Sequence, residues 1–369
     1  MDWRSAPDAK KTVADGSDAG PMQAGTTHAI PQHTPRLSLV KRLLFRLAQA
    51  LGLVLGVVTL TFILINLAPG DPARLWVGPA AGAEELEGAR HALGLDRSLW
   101  VRYFTWMIGF VTGQWGTSIA QQRPVTEVLS GAVPHTLLLT VTSLLLTYII
   151  GIAVGSIQAI NNRTRLDTGL TVFNLLVYGM PAYWLAIMLV LVFSYHAPLH
   201  GWPEWLRLPA MGVSSLNADF LGPWHAFVDR LRHAALPLIT LTAIGAAGTS
   251  RFVRNSLLDV RRLDFVLTAR AKGMRTLGIE IKHVLRNGLL PIVTLLGLSL
   301  PALFSGTVFV EVIFAWPGMG REMVAAVLAR DYPVIMATTA IYAALVVAGN
   351  MLADFLYGVA DPRTRNSAS

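Results

Sequence analysis

The stretch AQALGLVLGVVTLTFILINLA, from Ala48 to Ala68, decides the fold class because it contains no Asp, Glu, Lys or Arg. A helix needs about 20 mainly apolar residues to cross the hydrocarbon core of a bilayer, which is roughly 30 Å thick, since each residue rises about 1.5 Å. The stretch is therefore long enough to span a membrane. It is too long for the apolar region of a secretory signal peptide, which has about 7–15 residues.

Further charge-poor windows follow along the chain. Together with the first, they predict six spans at about residues 47–68, 136–160, 170–195, 234–250, 289–310 and 334–357. The alternative is a large soluble α-helical protein with buried helices. It is disfavoured because only 14% of the 369 residues are charged and 53% are hydrophobic, whereas soluble domains carry about 25% charged residues. The sequence predicts an all-α integral membrane protein.

The positive charges predict how the spans are oriented. Of the 30 Lys and Arg residues, twenty fall in the segments that are cytoplasmic if the N-terminus is inside, and ten fall in the outer segments. Basic residues near span ends favour the cytoplasmic side. We therefore expect both termini inside, and we interpret the net charge of +8 as a topology signal rather than a nucleic-acid-binding surface.

Several kinds of chemistry are disfavoured by what the sequence lacks. Without cysteine, the chain has no disulfides, thiolate metal sites or cysteine nucleophiles. No GxxxxGK[ST] phosphate loop occurs, so we expect no ATP hydrolysis by this chain. His196 and His200 have i,i+4 spacing, for which an interfacial polar pair and a metal site are the two alternatives. We expect no catalytic residues, no metal and no cofactor bound by this chain.

The chain divides into a tail and one membrane domain. Residues 1–40 are predicted to be a disordered cytoplasmic tail, and residues 41–365 a transmembrane domain. The outer segment 71–135 is long and amphipathic, with predicted surface helices at 84–94 and 98–110.

The segment between the fourth and fifth spans, residues 251–288, is the most informative loop. It holds nine basic residues among apolar ones, and it is longer than ordinary connections. We expect a cytoplasmic partner to touch it. The alternative is a solvated basic loop that lies against anionic lipid.

Within this loop, DFVLTARAKGM (Asp264–Met274) and HVLRNGLLPIVT (His283–Thr294) resemble the coupling loop of ABC importer permeases, specifically the dipeptide, oligopeptide and nickel group. Four more stretches are similar to that group in the same order, and the long outer segment resembles its first, B-type permease. They are LAPGDPA (Leu67–Ala73), LGLDRSLWVRY (Leu93–Tyr103), EVIFAWPGMGREMVAAVLARDYPV (Glu311–Val334) and NMLADFLYGVADPRTR (Asn350–Arg365).

The resemblance implies a type I ABC importer permease fold in the bacterial inner membrane. It implies three kinds of partner besides membrane lipid: a second homologous permease, which is either identical or different, two ATP-binding subunits, and a periplasmic or lipid-anchored solute-binding protein. It also implies that a short helix of the loop contacts the ATP-binding subunit. The coupling residues it points to are Asp264, Thr268, Ala269, Arg270, Ala271, Lys272, Gly273, His283 and Asn287.

Other polar or conformationally special residues are candidates for structural or gating roles. They are Glu311, Pro317, Gly318, Asn350 and Asp354. Asn350 and Asp354 share a helix face, and Asp354 is expected to pair with a cytoplasmic-side Arg or a backbone donor. The expected function is ATP-driven import of peptides or similar small solutes. The alternatives are an ion-coupled secondary transporter, which would need paired carboxylates near the bilayer centre, and a membrane-embedded enzyme.

Overall fold

A computed structural model describes residues 39–67, 70–78 and 80–360; for some of these, including 300–306 and 354–360, it describes the backbone only. Nearly all of the predicted tail, 1–40, lies outside this range. Helices dominate, and the described residues contain no strand, only an isolated bridge between Thr117 and Pro124. The helices are α1 (Leu39–Leu67), α2 (Pro72–Val77), α3 (Ala83–Ala92), α4 (Leu99–Val111), α5 (Val125–Ile160), α6 (Arg165–Gly179), α7 (Ala182–Leu189), α8 (Ala197–Leu199), α9 (Pro223–Val260), α10 (Asp264–Ala271), α11 (Thr276–Ile279), α12 (Arg286–Gly288), α13 (Leu290–Ile313), α14 (Met319–Ala329) and α15 (Tyr332–Ala360).

Two π-helical segments connect some of these α-helices into longer continuous helices. Val190–His196 joins α7 to α8, and Glu280–Leu285 joins α11 to α12. Short 3₁₀ turns lie at Glu204–Leu206 and Ala218–Phe220.

Five helical stretches of the described residues are long and apolar enough to cross a membrane: 44–67, 125–160, 182–199, 223–260 and 332–353. The remaining predicted span, 289–310, coincides with α13. The predicted all-α membrane fold is confirmed. Helices α5 and α9 contain 36 and 38 residues. At about 1.5 Å per residue each exceeds 50 Å, so both project beyond the roughly 30 Å hydrocarbon core.

The region predicted as one span at 170–195 is broken in the structure. Helix α6 ends at Gly179, and Met180 adopts an extended conformation with φ −79° and ψ 132° before α7 begins at Ala182. Pro181 explains the break, because the residue before a proline is sterically pushed away from the helical region. The stretch that qualifies as a span is 182–199.

Small residues bring α5 and α9 into close contact. A Cβ atom on Gly151 would lie 2.7 Å from Thr249 Cβ, and one on Gly245 would lie 2.8 Å from the side chain of Thr147. Membrane helices commonly approach through such small residues. This pair forms the centre of the helical bundle, from which the loops at both ends are positioned.

Helix α4 lies along the outer ends of α1 and α15. One face packs inward, where Trp106, Met107 and Phe110 contact a core cluster of Val58 and Met336. The Tyr103 hydroxyl lies 2.7 Å from Thr59 Oγ1 of α1. The other face exposes large apolar side chains: Leu99, Trp100, Val101, Phe104, Ile108 and Val111.

Candidate functional site

Helix α10, the centre of the predicted coupling loop, has one face packed against the rest of the chain. Val266 is fully buried and Ala269 is 5% exposed, and both belong to a core cluster with Leu257, Ile279 and Val284. The cluster joins α10 to α9 and to the helix that leads into α13. The structure therefore fixes α10 against the membrane helices, and it assigns Ala269 an inward position.

The opposite face of α10 is exposed. Asp264, Thr268 and Ala271 lie on it, together with Leu267, which is 51% exposed. Thr268 Oγ1 donates to the Asp264 carbonyl at 2.9 Å, which is a bond within the helix. Arg270 and Lys272 are also exposed. This face therefore presents apolar and basic groups without a described partner.

Gly273 ends this helix in a conformation that needs glycine. Its φ is +75°, a region that residues with a Cβ rarely adopt. The Gly273 amide donates to the Arg270 carbonyl at 2.9 Å. A Cβ at this position would meet nothing within 4 Å, so the requirement comes from backbone conformation and not from crowding.

The two remaining predicted loop residues lie beyond this turn. His283 is in the π-helical segment, and its ring centroid is 6.4 Å from that of Phe265 in α10. Asn287 is exposed, and its Nδ2 donates to the His283 carbonyl at 2.7 Å. His283 thus lies beside α10, whereas the described contacts of Asn287 stay within its own helix.

Two ion pairs, which we call the inner clamp, connect the loops at this end of the bundle to α9. Arg254 Nε and Nη2 donate to the two carboxylate oxygens of Asp167 at 2.8 and 2.7 Å. Arg261 donates to Glu280 Oε2 through Nε at 3.1 Å, and through a second nitrogen to the Ala159 carbonyl at the end of α5. Bidentate arginine–carboxylate pairs combine energy with fixed geometry.

The sequence analysis did not identify the inner clamp. Its members are far apart in sequence, and Arg254 entered the sequence analysis only as one of the nine basic residues of the segment 251–288. The side chain of Asp167 is 4% exposed, and that of Arg254 is 23% exposed. The Arg254 guanidinium, aided by the Arg163 amide, holds the pKa of Asp167 below its ordinary value although burial opposes the shift. The pair is therefore charged at neutral pH.

A buried polar cluster lies next to the inner clamp, where α5, α6 and α9 meet. Asn174 Nδ2 donates to Ser250 Oγ at 2.8 Å and to Gln158 Oε1 at 3.2 Å, and Gln158 Nε2 donates to Thr171 Oγ1 at 3.0 Å. Gln158 and Ser250 are fully buried. These bonds fix the mutual register of the three helices.

At the other end of the bundle, Glu311 is fully buried and caps a different helix. Its carboxylate accepts from the amides of Gly320 and Arg321 at 2.6 and 3.2 Å, and from Thr136 Oγ1 at 2.8 Å. The two amides belong to the first turn of α14, where free N–H groups and the helix dipole favour an anion. We call Glu311, Thr136 and these amides the outer cradle. It joins α5, α13 and α14.

The turn before α14 leaves no room for larger residues. A Cβ on Gly318 would overlap the Glu311 carboxyl group and would lie 2.6 Å from Thr136 Oγ1. Pro317, half-buried, precedes it. Trp316 Nε1 donates to the His135 carbonyl at 3.1 Å. Glu311, Pro317 and Gly318 therefore lie together in one closely packed turn.

Asp331, a residue the sequence analysis passed over, forms a second buried carboxylate site at this end. It accepts from Ser118 Oγ and from the Ala120 amide, the latter at 3.1 Å. Its own Oδ1 accepts from the Val334 amide in the first turn of α15 at 3.4 Å. An Asp directly before a helix start is a capping signal, and it was present in the sequence.

The other candidate residues are not brought into a site. Asn350 is exposed, and the side chain of Asp354 lies outside the described residues, so its predicted pairing stays a prediction. The His196 and His200 rings are 5.6 Å apart, and His200 Nδ1 contacts the His196 carbonyl at 2.9 Å. Within the described part of the chain, no three His, Asp or Glu residues are grouped as metal ligands.

Comparison with known proteins assigns the family. Residues 151–366 match the model of the binding-protein-dependent transport system inner membrane components, and residues 39–140 match that of the N-terminal part of such membrane components. The oligopeptide transport system permease protein AppB of Bacillus subtilis is 38% identical over 86% of this chain and 97% of its own length. The dipeptide permease DppB of Escherichia coli K12 is 33% identical over 89% and 99%. The glutathione permease GsiC of Salmonella choleraesuis is 37% identical over 86% and 98%. The chain belongs to the binding-protein-dependent transport system inner membrane components, the permease subunits of ABC importers.

Proposed function

We propose that this chain is the B-type permease of an importer that moves peptides or similar small solutes across the bacterial inner membrane. Membership of the family makes it a multi-pass, non-catalytic subunit, with ATP hydrolysis carried by separate subunits. The proposal of peptides as solute is supported by relatives whose names specify oligopeptide, dipeptide, di/tripeptide and glutathione transport. The proposed partners are a second homologous permease, two ATP-binding subunits and a periplasmic or lipid-anchored solute-binding protein.

The proposed coupling to ATP hydrolysis rests on helix α10, which has one buried face and one exposed face. Val266 and Ala269 hold the helix to its own chain, and Leu267, Thr268 and Ala271 are available to another protein. We assign this exposed face to contact with an ATP-binding subunit. A solvated loop against lipid would not need a closely packed inner face.

Movement of α10 would be transmitted to the membrane helices through short connections. The turn at Arg261–Leu263 links α10 directly to α9, and the Gly273 turn links it to the helix that continues into α13. Arg261 also connects to Glu280 and to the end of α5. Closure of the ATP-binding subunits would therefore shift α9 and α13 together, and this would open the path for a solute delivered by the binding protein.

The absence of cysteine makes a crosslinking test direct. Thr268→Cys and Ala271→Cys, labelled with a photoreactive maleimide in membranes that contain the whole transporter, should capture an ATP-binding subunit. Gln122→Cys, exposed on the opposite end of the bundle, is the matched control and should not. Capture at Gln122 alone, or at none of the three positions, would contradict the coupling assignment.

The solute is tested separately by uptake. Proteoliposomes with the complete transporter and its binding protein should accumulate a labelled dipeptide or tetrapeptide only when ATP is present on the side of the membrane that carries the ATP-binding subunits. ATP-dependent uptake of a non-peptide solute without any peptide uptake would refute the peptide assignment and would leave the coupling assignment intact.

A further inference from the structure

A pocket of about 380 Å³ lies between the outer ends of α1, α4 and α15, and the mechanism above does not use it. Phe62, Ile65 and Met336 supply apolar lining. One wall is aromatic, because the indole rings of Trp106 and Trp115 both line the pocket. The described lining includes the basic residues His91, Arg97 and Arg102 but no acidic residue. The pocket lining is thus mainly apolar, and its acid–base side chains, Tyr332 aside, are basic.

Arg102 is half-buried and has no carboxylate partner among the described residues. Burial lowers its pKa, with a smaller opposing effect from Tyr332, yet a guanidinium stays charged at neutral pH. Two acids of the adjoining cavity face other bases: Arg90 Nε donates to Asp71 at 2.9 Å, and His91 lies 3.8 Å from Asp96. The third acid, Glu87, is exposed and forms no ion pair with Arg102 in the described part of the chain. A cation partly removed from water without a counter-ion is costly, so an anionic ligand would stabilise it.

A second unpaired donor lines the same pocket. The Trp106 indole N–H is buried and has no hydrogen-bond acceptor among the described residues. Buried N–H groups are nearly always paired in native proteins. Trp106 and Arg102 both belong to α4, four residues apart and therefore on one face of the helix.

The position of the pocket indicates what kind of anion it takes. The opposite face of α4 exposes Trp100, Phe104 and Ile108, and a helix with such a face lies in the membrane interface. The pocket beneath it is consequently at the depth of lipid headgroups. We propose that it binds an anionic phospholipid, with the phosphate beside Arg102 and acyl carbons against Phe62 and the aromatic wall.

Native mass spectrometry of the purified transporter tests this proposal. With equimolar phosphatidylglycerol and phosphatidylcholine, the wild type should retain phosphatidylglycerol preferentially. The Arg102→Gln variant should retain about tenfold less phosphatidylglycerol, because loss of a charge-assisted hydrogen bond usually weakens binding by about this factor. Trp106→Phe keeps the ring and should reduce retention about two- to threefold. Arg123→Gln, an exposed arginine outside the pocket, is the matched control and should have no effect.

Three outcomes would overturn the proposal. One is equal phosphatidylglycerol retention by the wild type and both pocket variants. Another is displacement of the lipid by millimolar inorganic phosphate, which would identify a soluble oxyanion as the ligand. The third is unchanged lipid retention with weaker capture of the binding protein by Arg102→Gln, which would identify a protein partner. The lipid-retention measurement needs neither ATP nor solute, so its result is independent of the proposed transport function.

Discussion

The inner clamp and the outer cradle solve the same problem in different ways. Both use a nearly buried carboxylate to hold a short helix or loop against the spanning helices. The inner clamp neutralises Asp167 and Glu280 with arginine side chains. Glu311 accepts from the two amides and the Thr136 hydroxyl of the outer cradle and also from the Thr307 hydroxyl, and the described residues show no cation bonded to it. Ion pairs near a surface can be remade when a loop moves, whereas a carboxylate fixed by backbone amides allows only one arrangement.

This difference suggests that the two ends have different mechanical roles. The inner end keeps an exposed face on α10 and is held by side chains that can reorient. The outer end is tightly packed around Gly318 and Gly320, where an added Cβ would approach the Glu311 carboxyl group within 2.8 Å. We expect the inner end to receive motion and the outer end to act as a rigid joint between α5, α13 and α14.

The largest expected effect comes from Glu311→Ala. It would leave the Gly320 and Arg321 amides and the Thr136 hydroxyl without their acceptor. Each buried unsatisfied group costs about 1–3 kcal/mol, so the three groups together predict a loss of about 3–9 kcal/mol, measured as a large fall in the unfolding midpoint of the detergent-purified protein. Glu127→Ala, at an exposed position, is the control. Equal midpoints for the two variants would show that the cradle is not structural.

The inner clamp should give a somewhat smaller effect. Arg254→Ala leaves Asp167 charged and nearly buried, and breaking such a pair costs about 3 kcal/mol. Arg254→Ala combined with Asp167→Asn should recover part of this loss, because no unpaired charge remains. Arg262→Ala, an exposed arginine two residues after α9, should be nearly silent. Strictly additive effects of the two clamp substitutions would contradict a direct interaction.

Packing in the outer turn can be tested with Gly318→Ala. The added Cβ overlaps the Glu311 carboxyl group and Thr136 Oγ1, and overpacking of this kind costs about 1–3 kcal/mol. Gly131→Ala is the matched control, because a Cβ there meets nothing within 4 Å and the position is inside α5. It should be neutral or slightly stabilising. Similar melting behaviour of the two variants would argue against a closed joint.

The two faces of α10 can be separated by Ala269→Leu and Thr268→Leu. Leu at the buried position 269 should displace α10 from its core at about 1–3 kcal/mol, whereas Leu at the exposed position 268 should leave the unfolding midpoint unchanged. Both should weaken solute-stimulated ATP hydrolysis in the complex. If Thr268→Leu also lowers the midpoint, position 268 is not a free surface.

The smallest expected effect is a pH dependence of the inner clamp. Because Arg254 depresses the folded-state pKa of Asp167, the pair stabilises the protein fully above the unfolded-state pKa of about 3.9. The contribution disappears as the pH falls through the lower folded-state pKa. The difference in unfolding midpoint between wild type and Asp167→Asn should therefore shrink between pH 6 and pH 3. A difference that grows on acidification would reverse the sign and contradict the assignment.

The sequence predicted the elements whose causes are local. Apolar windows predicted the spans. The surface helices expected at 84–94 and 98–110 correspond to α3 and α4. The break at Met180 was missed, although Pro181 was visible, because spanning helices often tolerate proline. Whether the helix breaks at Pro181 depends on whether neighbouring groups can form hydrogen bonds with the backbone groups that the proline leaves unpaired.

For the candidate residues too, the sequence identified local motifs, whereas their contacts with distant segments required the structure. Ala269 and Thr268 were grouped together by motif, yet they lie on opposite faces of α10. Arg261, Glu280 and Asp167 carried no recognisable signal, because ion pairs between distant segments leave no local pattern. Glu311 was identified as a candidate structural or gating residue, but its role as a cap for α14 depends on a contact nine residues further on.

By itself, the sequence determined that this chain spans a bilayer, which residues form its spanning helices, and which loop carries most positive charge. Those properties follow from transfer of side chains between water and lipid, which each segment experiences alone. Only the tertiary structure decided which face of α10 is available, which carboxylates are paired, and that an unpaired arginine lines an interfacial pocket. Those properties depend on the distances between helices, and such distances are set when all helices pack at once.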